Sequence, residues 1–313
     1  MSRDNNVNPD VRIGVVLSSG GTPGLFAHTG FLYALAELGI PYHTVAGCSA
    51  GAIVGGLIAS GTDLSAWSSA LAQARGRDLW NPDPLWQILW RVAVQRGKGY
   101  TGLSDTATLI SSCRSLLGVE RFEDCPVPFR ALALSLDRNR KVVFSTGELA
   151  PRMVASAAAP VLYRPVEIDG ELYCDGAVVE LGPVDAICCN QDIDLVIVHH
   201  VATRRAGSDR LRKSLQAPWA LGRIVDWIVY RQEPWYLTGE PISFHACPGG
   251  RGTTIAVVEP VLPQLPWGST HGGVAVQQAA QQQAFDVIGS WATRLLSNPR
   301  GLVPAPTLPH NHA

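Results

Sequence analysis

Thr44-Val45-Ala46-Gly47-Cys48-Ser49-Ala50-Gly51-Ala52 is the stretch on which the fold turns. Residues 44–46 read as a short strand, 47–51 as a tight turn, and 52–59 as an apolar helix of small residues ending near Gly61. A helix made of Gly, Ala, Ile, Val and Leu has no polar face, so burial on nearly all sides is expected. The pentapeptide Gly47-Cys48-Ser49-Ala50-Gly51 fits G-x-S-x-G. Its small flanking residues permit a sharp strand-to-helix elbow on which the serine stands at a helix N-terminus. In a chain rich in Gly, Ala and Ser the same pentapeptide also occurs as a plain turn. The strand before it and the buried helix after it are what an elbow requires.

Upstream lies a matching unit. Residues 11–17 are a β-branched run ending in Ser18-Ser19-Gly20-Gly21-Thr22-Pro23-Gly24, after which Leu25, Phe31, Leu32, Leu35 and Leu38 recur at helical spacing until Gly39. Gly20 and Gly21 can turn backbone N–H groups into a cavity at the start of that helix, which suits an oxyanion or a phosphate. The Gly-Lys-Ser/Thr ending of a Walker loop is absent, and so is the G-x-G of a dinucleotide fingerprint. An oxyanion hole is the better functional reading, with a chemically idle Gly-rich connection as its alternative.

Downstream, residues 129–135 and 141–145 read as paired strands around Asp137-Arg138-Asn139, and 149–158 as a helix. Residues 166–173 form a hairpin about Asp169-Gly170 that delivers the chain to Asp175-Gly176-Ala177. Buried strands are expected at 195–199 and 253–260, then one amphipathic helix over 277–296. Strands alternating with helices predict an α/β fold with a mostly parallel central sheet covered on both faces, its functional loops at the carboxyl ends of strands. One domain over 11–298 is expected, with a disordered N-terminus at 1–10 and a flexible, Pro-rich tail at 299–313.

The chain has 313 residues, 46% of them hydrophobic, and its 25 basic and 26 acidic side chains give a net charge of −1. Such a balance offers no long-range attraction for nucleic acid. The polar first ten residues lack the basic and apolar segments of a secretory signal, and charges or prolines interrupt every stretch long enough to span a bilayer. A cytoplasmic protein, at most peripheral at a membrane, is expected. The seven cysteines, Cys48, Cys113, Cys125, Cys174, Cys188, Cys189 and Cys247, show no C-x-x-C spacing, so they suggest neither a zinc site nor a disulfide framework but buried thiols. Cys48, beside Ser49, reads as a small core residue at a turn.

A serine at an elbow needs a proton acceptor, and a carboxylate within hydrogen-bond reach serves when backbone donors hold the oxyanion. Ser19-Gly20-Gly21-Thr22-Pro23-Gly24, Ala27-His28-Thr29-Gly30 and Ala46-Gly47-Cys48-Ser49-Ala50-Gly51-Ala52 resemble the start of bacterial patatin-like phospholipases. Phe122-Glu123-Asp124, Pro126-Val127-Pro128-Phe129, Val143-Phe144-Ser145-Thr146-Gly147, Ala155-Ser156-Ala157-Ala158-Ala159-Pro160 and Pro165-Val166-Glu167-Ile168-Asp169-Gly170 follow in that family's order. Asp175-Gly176-Ala177 falls where the family has Asp-Gly-Gly or Asp-Gly-Ala. The likeness covers roughly residues 12–200, more weakly 253–295. It implies a three-layer α/β/α fold and lipid acyl hydrolysis by a Ser-Asp dyad without metal or cofactor. Ser49 would be the nucleophile, Asp175 the general base, and Gly20 and Gly21 the oxyanion donors, with Gly24, Gly47, Gly51, Gly176 and Ala177 as supporting motif positions. The implied partner is a lipid or other acyl ester.

Two departures from the family bear on substrate. Pro23 stands where Arg or Lys is usual, so it neither pairs with a phosphate nor donates a backbone hydrogen bond. Glu180-Leu181-Gly182 replaces Asn-Asn ahead of Pro183-Val184. The rival readings are a Ser-His-Asp triad using His199, His200 or His271, and a non-catalytic or acyl-transferring protein that binds lipid or acyl groups. His28 reads as a packed helix residue. Trp80, Trp86 and Trp90, with Leu85 and Leu89, mark one insertion near 78–100; Trp219, Trp227 and Trp235, with Ile224 and Ile228, mark another near 215–240. Arg91, Arg96, Lys98, Arg223 and Arg231 lie nearby, as in a lid or interfacial helix; ordinary core packing is the alternative.

Overall fold

A computed structural model describes residues 11–303, apart from 97, 190–191, 202–233, 251 and 266–268. β1 (Ile13–Leu17), α1 (Gly21–Glu37), β2 (Thr44–Cys48) and α2 (Ala50–Ala59) are two consecutive strand–helix units. A mainly helical insertion follows, with α3 (Leu64–Gln73), α4 (Gly76–Leu79), α5 (Leu85–Ala93), β3 (Gly102–Ser104) and α6 (Ala107–Leu116). The next elements are β4 (Phe129–Ser135), β5 (Arg140–Phe144), α7 (Leu149–Ala157), β6 (Val161–Tyr163), β7 (Val166–Ile168), β8 (Glu171–Asp175) and α8 (Asp185–Cys188). β9 (Leu195–His199), β10 (Ile242–Ala246), β11 (Thr254–Val258), α9 (Gly273–Gly289) and α10 (Ala292–Ser297) complete the described chain.

The main sheet runs β10-β11-β9-β1-β2-β4-β8-β7, with β5 also paired to β4. Its five central strands, β11, β9, β1, β2 and β4, are mutually parallel, and antiparallel strands close both edges. Side-chain alternation along the parallel strands sorts the core into two layers. Ile13, Val15, Leu17, Val45, Leu195, Ile197, Ala256 and Val258 face the larger cluster, which holds residues of α1, α2, α7 and α9. Val16, Ala46, Val196, Val198, Ile255 and Val257 face the smaller one, where α8 and Tyr236 pack. The α/β expectation, with a parallel centre and helices on both faces, is met.

Several boundaries differ from the sequence reading. α1 begins at Gly21, not near Leu25, so the glycine loop is itself the first helical turn. The turn between β2 and α2 shrinks to the single residue Ser49. The one helix expected over 277–296 is two, α9 and α10, separated at Ser290-Trp291 just after Gly289. Pro299–Leu302 form a 3-10 turn whose Pro299 carbonyl accepts the Thr254 hydroxyl at 2.9 Å, so the folded chain passes the expected end at 298. Residues 1–10 and 304–313, and with them most of the second Trp-rich insertion including Trp219 and Trp227, lie outside the described residues.

Candidate active site

β4 fixes the meeting point of the two central residues. Its Leu132 is paired with Cys48, the last residue of β2, and its next residue, Ala133, with Asp175, the last residue of β8. Successive positions of one strand therefore hold the chain on which Ser49 follows and the chain that ends in Asp175. Ser49 Oγ donates to Asp175 Oδ2 at 2.8 Å across 126 residues of sequence, with Ser49 only 4% exposed and Asp175 fully buried.

Ser49 sits at φ 55°, a left-handed conformation that a non-glycine residue adopts only where its surroundings impose it. The surroundings are close backbone contacts: a Cβ on Gly51 would stand 2.1 Å from the Leu17 carbonyl oxygen, and one on Gly47 2.3 Å from that of Gly51. The Ser49 N–H donates to Ser156 Oγ at 3.0 Å, which fixes the elbow from α7. Sequence reasoning gives Ser156 no role; a lone serine among the alanines of 155–159 is the available signal.

Burial is the chief influence on Asp175 and pushes its carboxyl from the ordinary 3.8 up to about 7. Hydrogen bonds from the Ala177 N–H, at 2.8 Å to Oδ1, and from Ser49 and Cys48 work in the opposite direction. A carboxyl tuned close to neutrality and bonded to a hydroxyl is equipped to take its proton. Burial, reinforced by the neighbouring Asp175, holds the Cys48 thiol well above its ordinary 9.0. Cys48 is thus a protonated core thiol, and its S–H donates to the Glu180 carbonyl at 3.4 Å.

The Gly20-Gly21 turn opens the helix that packs beside the elbow. A Cβ on Gly24 would stand 2.9 Å from Ala50 Cβ, so the first turn of α1 lies against the residue after Ser49. The Ser18 and Ser19 N–H groups are already used, on the His199 and Leu181 carbonyls. No side chain caps α1, and the Gly20 and Gly21 N–H groups show no acceptor among the described residues. Gly21 has φ 57°, which directs these donors in a way that other residues resist. Pro23 is the third residue of the helix, where its missing N–H would have had no intrahelical acceptor, so it leaves the helix and the two glycine donors intact.

The Ser49 hydroxyl bonds to Asp175, and among the described residues no histidine of the rival triad hydrogen-bonds to it. His28 Nε2 donates to the Ser18 carbonyl at 2.7 Å, which leaves Nδ1 to accept from His199 Nδ1 at 2.8 Å. Burial lowers His28 to about 3 and His200 to about 4, and lowers His199 well below the usual range. The Ser18 hydroxyl accepts the Val201 N–H at 2.9 Å. This neutral network braces the start of the glycine turn, while His271 is exposed elsewhere.

The first Trp-rich insertion is tied to the chain beside the site. β3 pairs with β6, Trp80 Nε1 donates to the Leu162 carbonyl at 3.2 Å, and Arg164 pairs with Asp83 and, at 2.9 Å, with Asp105. The same stretch provides the Ala158 carbonyl that accepts the Asp175 N–H at 3.0 Å. α5 projects outward: Leu85, Trp86, Leu89 and Trp90 are 70, 71, 58 and 56% exposed.

The patatin-like phospholipase family model matches residues 15–187. An uncharacterized NTE family protein of Mycobacterium tuberculosis is 30% identical over 217 residues, 68% of this chain and 56% of that protein. A lysophospholipase NTE1 of Cryptococcus neoformans is 31% identical over 187 residues, 60% of this chain and 11% of its own length. The chain thus spans little more than half of the mycobacterial relative. Human GIVD cytosolic phospholipase A2 superposes with a TM-score of 0.52 at 11% identity, covering 96% of this chain and 61% of that one, a likeness of fold.

Proposed function

We propose that this chain, which belongs to the patatin-like phospholipase family, is a serine hydrolase of lipid carboxylic esters working through Ser49 and Asp175. The observation that carries the reading is the 2.8 Å hydrogen bond between two buried side chains, one on a strained elbow and the other a carboxyl near neutrality. Asp175 takes the Ser49 proton as Oγ attacks the acyl carbonyl, and the Gly20 and Gly21 N–H groups receive the negative charge that forms on the carbonyl oxygen. Collapse expels the alcohol, which leaves with the proton held by Asp175. Water then gives a proton to Asp175 and attacks the acyl-enzyme, and Ser49 regains its proton as the fatty acid departs.

Pro23 argues for a head group recognised elsewhere than by a basic side chain in the glycine turn. The likeness to a fungal lysophospholipase points to a lysophospholipid as the first lipid to try. α5 is read as a segment that touches the lipid aggregate: its tryptophans and leucines stay exposed, Arg91 lies in its last turn, and its insertion is tied next to the site. Among the described residues no helix is long and apolar enough to cross a membrane, so contact from one side is proposed. The test is hydrolysis of p-nitrophenyl esters, a lysophospholipid, a diacyl phospholipid and an acyl thioester by wild type, Ser49→Ala and Asp175→Asn. Loss in both variants supports the dyad; undiminished turnover by purified Ser49→Ala overturns it.

A further inference from the structure

At the end of the sheet away from Ser49, three cysteines that have no part in the ester chemistry converge. Cys188 ends α8, Cys189 follows it, and Cys247 follows β10, 58 residues further along. Ser49 follows the carboxyl end of β2, whereas Cys247 bonds through its N–H to Thr253, just before the amino end of β11. Five-residue strands separate the two ends by about 15 Å.

The sulfurs are 3.4 Å apart for Cys188 and Cys189, 3.5 Å for Cys189 and Cys247, and 2.7 Å for Cys188 and Cys247. We propose that Cys188, Cys189 and Cys247 form a trithiolate site for a thiophilic metal ion, with Zn2+ as its physiological class. A Zn–S bond of about 2.3 Å in tetrahedral geometry sets sulfur–sulfur edges of about 3.8 Å. Two of the three edges lie within about 0.4 Å of that, and the third opens by about 1 Å on binding.

Four features beyond proximity fit a metal–thiolate centre. The Gly249 N–H donates to the Cys247 sulfur, the kind of outer hydrogen bond that orients a metal ligand. The turn after Cys247 is closed by the Gly250 N–H on the Cys247 carbonyl at 3.1 Å, with Gly250 at φ 68°. A Cβ on Gly249 would meet Cys189 Sγ at 2.9 Å, so a glycine is what lets this turn wrap the sulfurs. Cys188 and Cys247 are buried at 1 and 5% exposure in an apolar cluster with Ile187, Ile193 and Ile255, while Cys189 is partly exposed and gives an ion a side from which to enter.

A disulfide between Cys188 and Cys247 is the competing chemistry, and it would leave Cys189 without a function. The third sulfur lies at nearly equal distances from the other two, as ligands about a shared atom do. Binding replaces S–H by S–metal bonds, so each ligating thiol gives up its proton to solvent. The ion would join α8, which follows the Asp175 loop, to the β10–β11 edge.

The test uses the full chain, reduced and stripped of metal with a chelator. Co2+ is titrated in and the thiolate-to-cobalt charge-transfer and d–d bands are followed, and Zn2+ is then added as competitor. Expected are saturation at one equivalent, displacement by Zn2+, three fewer thiols open to alkylation, and a denaturation midpoint that rises with Zn2+. Cys189→Ser, at a partly exposed position, and Cys247→Ser should each weaken binding beyond the roughly 10–100-fold loss typical of changes outside the ligand shell. Ester hydrolysis by Cys189→Ser should stay near wild type. No charge-transfer band in the reduced wild type overturns the proposal, as does uptake unchanged in both variants. So does a wild type that forms only a Cys188–Cys247 disulfide under mild oxidant and takes up no metal after reduction.

Discussion

The two ends of the central sheet are built on opposite terms. At the carboxyl end, Ser49 is held at positive φ, Asp175 is buried with a carboxyl pushed up to about 7, and two glycine N–H groups lack acceptors among the described residues. Each of these is unfavourable to the folded chain by itself and useful to a reaction. At the amino end, α8, the Cys247 turn and the first residues of β9 and β11 meet in ordinary packing, with Thr253 Oγ1 on the Ile193 carbonyl at 2.7 Å. Parallel strands explain the division: loops at their carboxyl ends converge on the helix N-termini, where backbone donors are left unpaired.

The contrast breaks first at the dyad. Ser49→Ala is expected to lower kcat on a preferred ester by at least about ten-thousandfold, and Asp175→Asn by a similar order, while both remain folded by circular dichroism. Less severe is Gly21→Ala. Its Cβ meets nothing nearer than Pro23 Cδ at 4.0 Å, so the penalty falls on the φ of 57° and on the aim of the donors. A loss of about 100–1000-fold in kcat with little change in KM is expected; a loss confined to KM would remove this turn from the oxyanion role.

The Asp175 carboxyl links activity to stability. Only its ionised form accepts a proton, so kcat/KM should rise about tenfold per pH unit below about 7 and level off above. Its folded value lies above the ordinary 3.8, so the folded chain binds this proton more tightly and wild-type stability falls as pH rises from about 4 to about 7. The penalty approaches roughly 4 kcal/mol at most. Denaturant titrations of Asp175→Asn should lack that fall, so its advantage over wild type grows across the same window. A constant difference from pH 4 to pH 8 would show that burial does not set this carboxyl.

The smallest effect is expected at α5. Replacing Trp86 and Trp90 by serine should move the denaturation midpoint by no more than about 0.5 kcal/mol equivalent, because both are exposed. Hydrolysis of a short soluble ester should stay within about twofold, whereas co-sedimentation with phospholipid vesicles and turnover of vesicle lipid should fall together. Unchanged vesicle binding would remove the interfacial role.

The order of strands and helices was written locally. β-branched runs such as 13–17 and 195–199 and the glycine-punctuated turn at Asp169-Gly170 give their elements from neighbouring residues alone. The pairing of the elbow serine with the Asp-Gly segment comes instead from the ordered resemblance to the patatin-like family, since Asp-Gly alone signals only a turn. Boundaries escaped where close contacts decide them. Helix α1 starts within the glycine turn because its first turn packs on Ala50, and Ser49 is the whole of its turn because Gly47 and Gly51 let backbones touch. α2, which has no polar face, is buried as expected, whereas for α5 the sequence leaves the interfacial and core-packing readings open and the structure leaves it exposed, since burial depends on which neighbours the sheet supplies. The 2.8 Å contact, the raised Asp175 carboxyl and the three converging sulfurs belong to the tertiary structure alone, because each depends on residues far apart in the chain and on the water excluded around them.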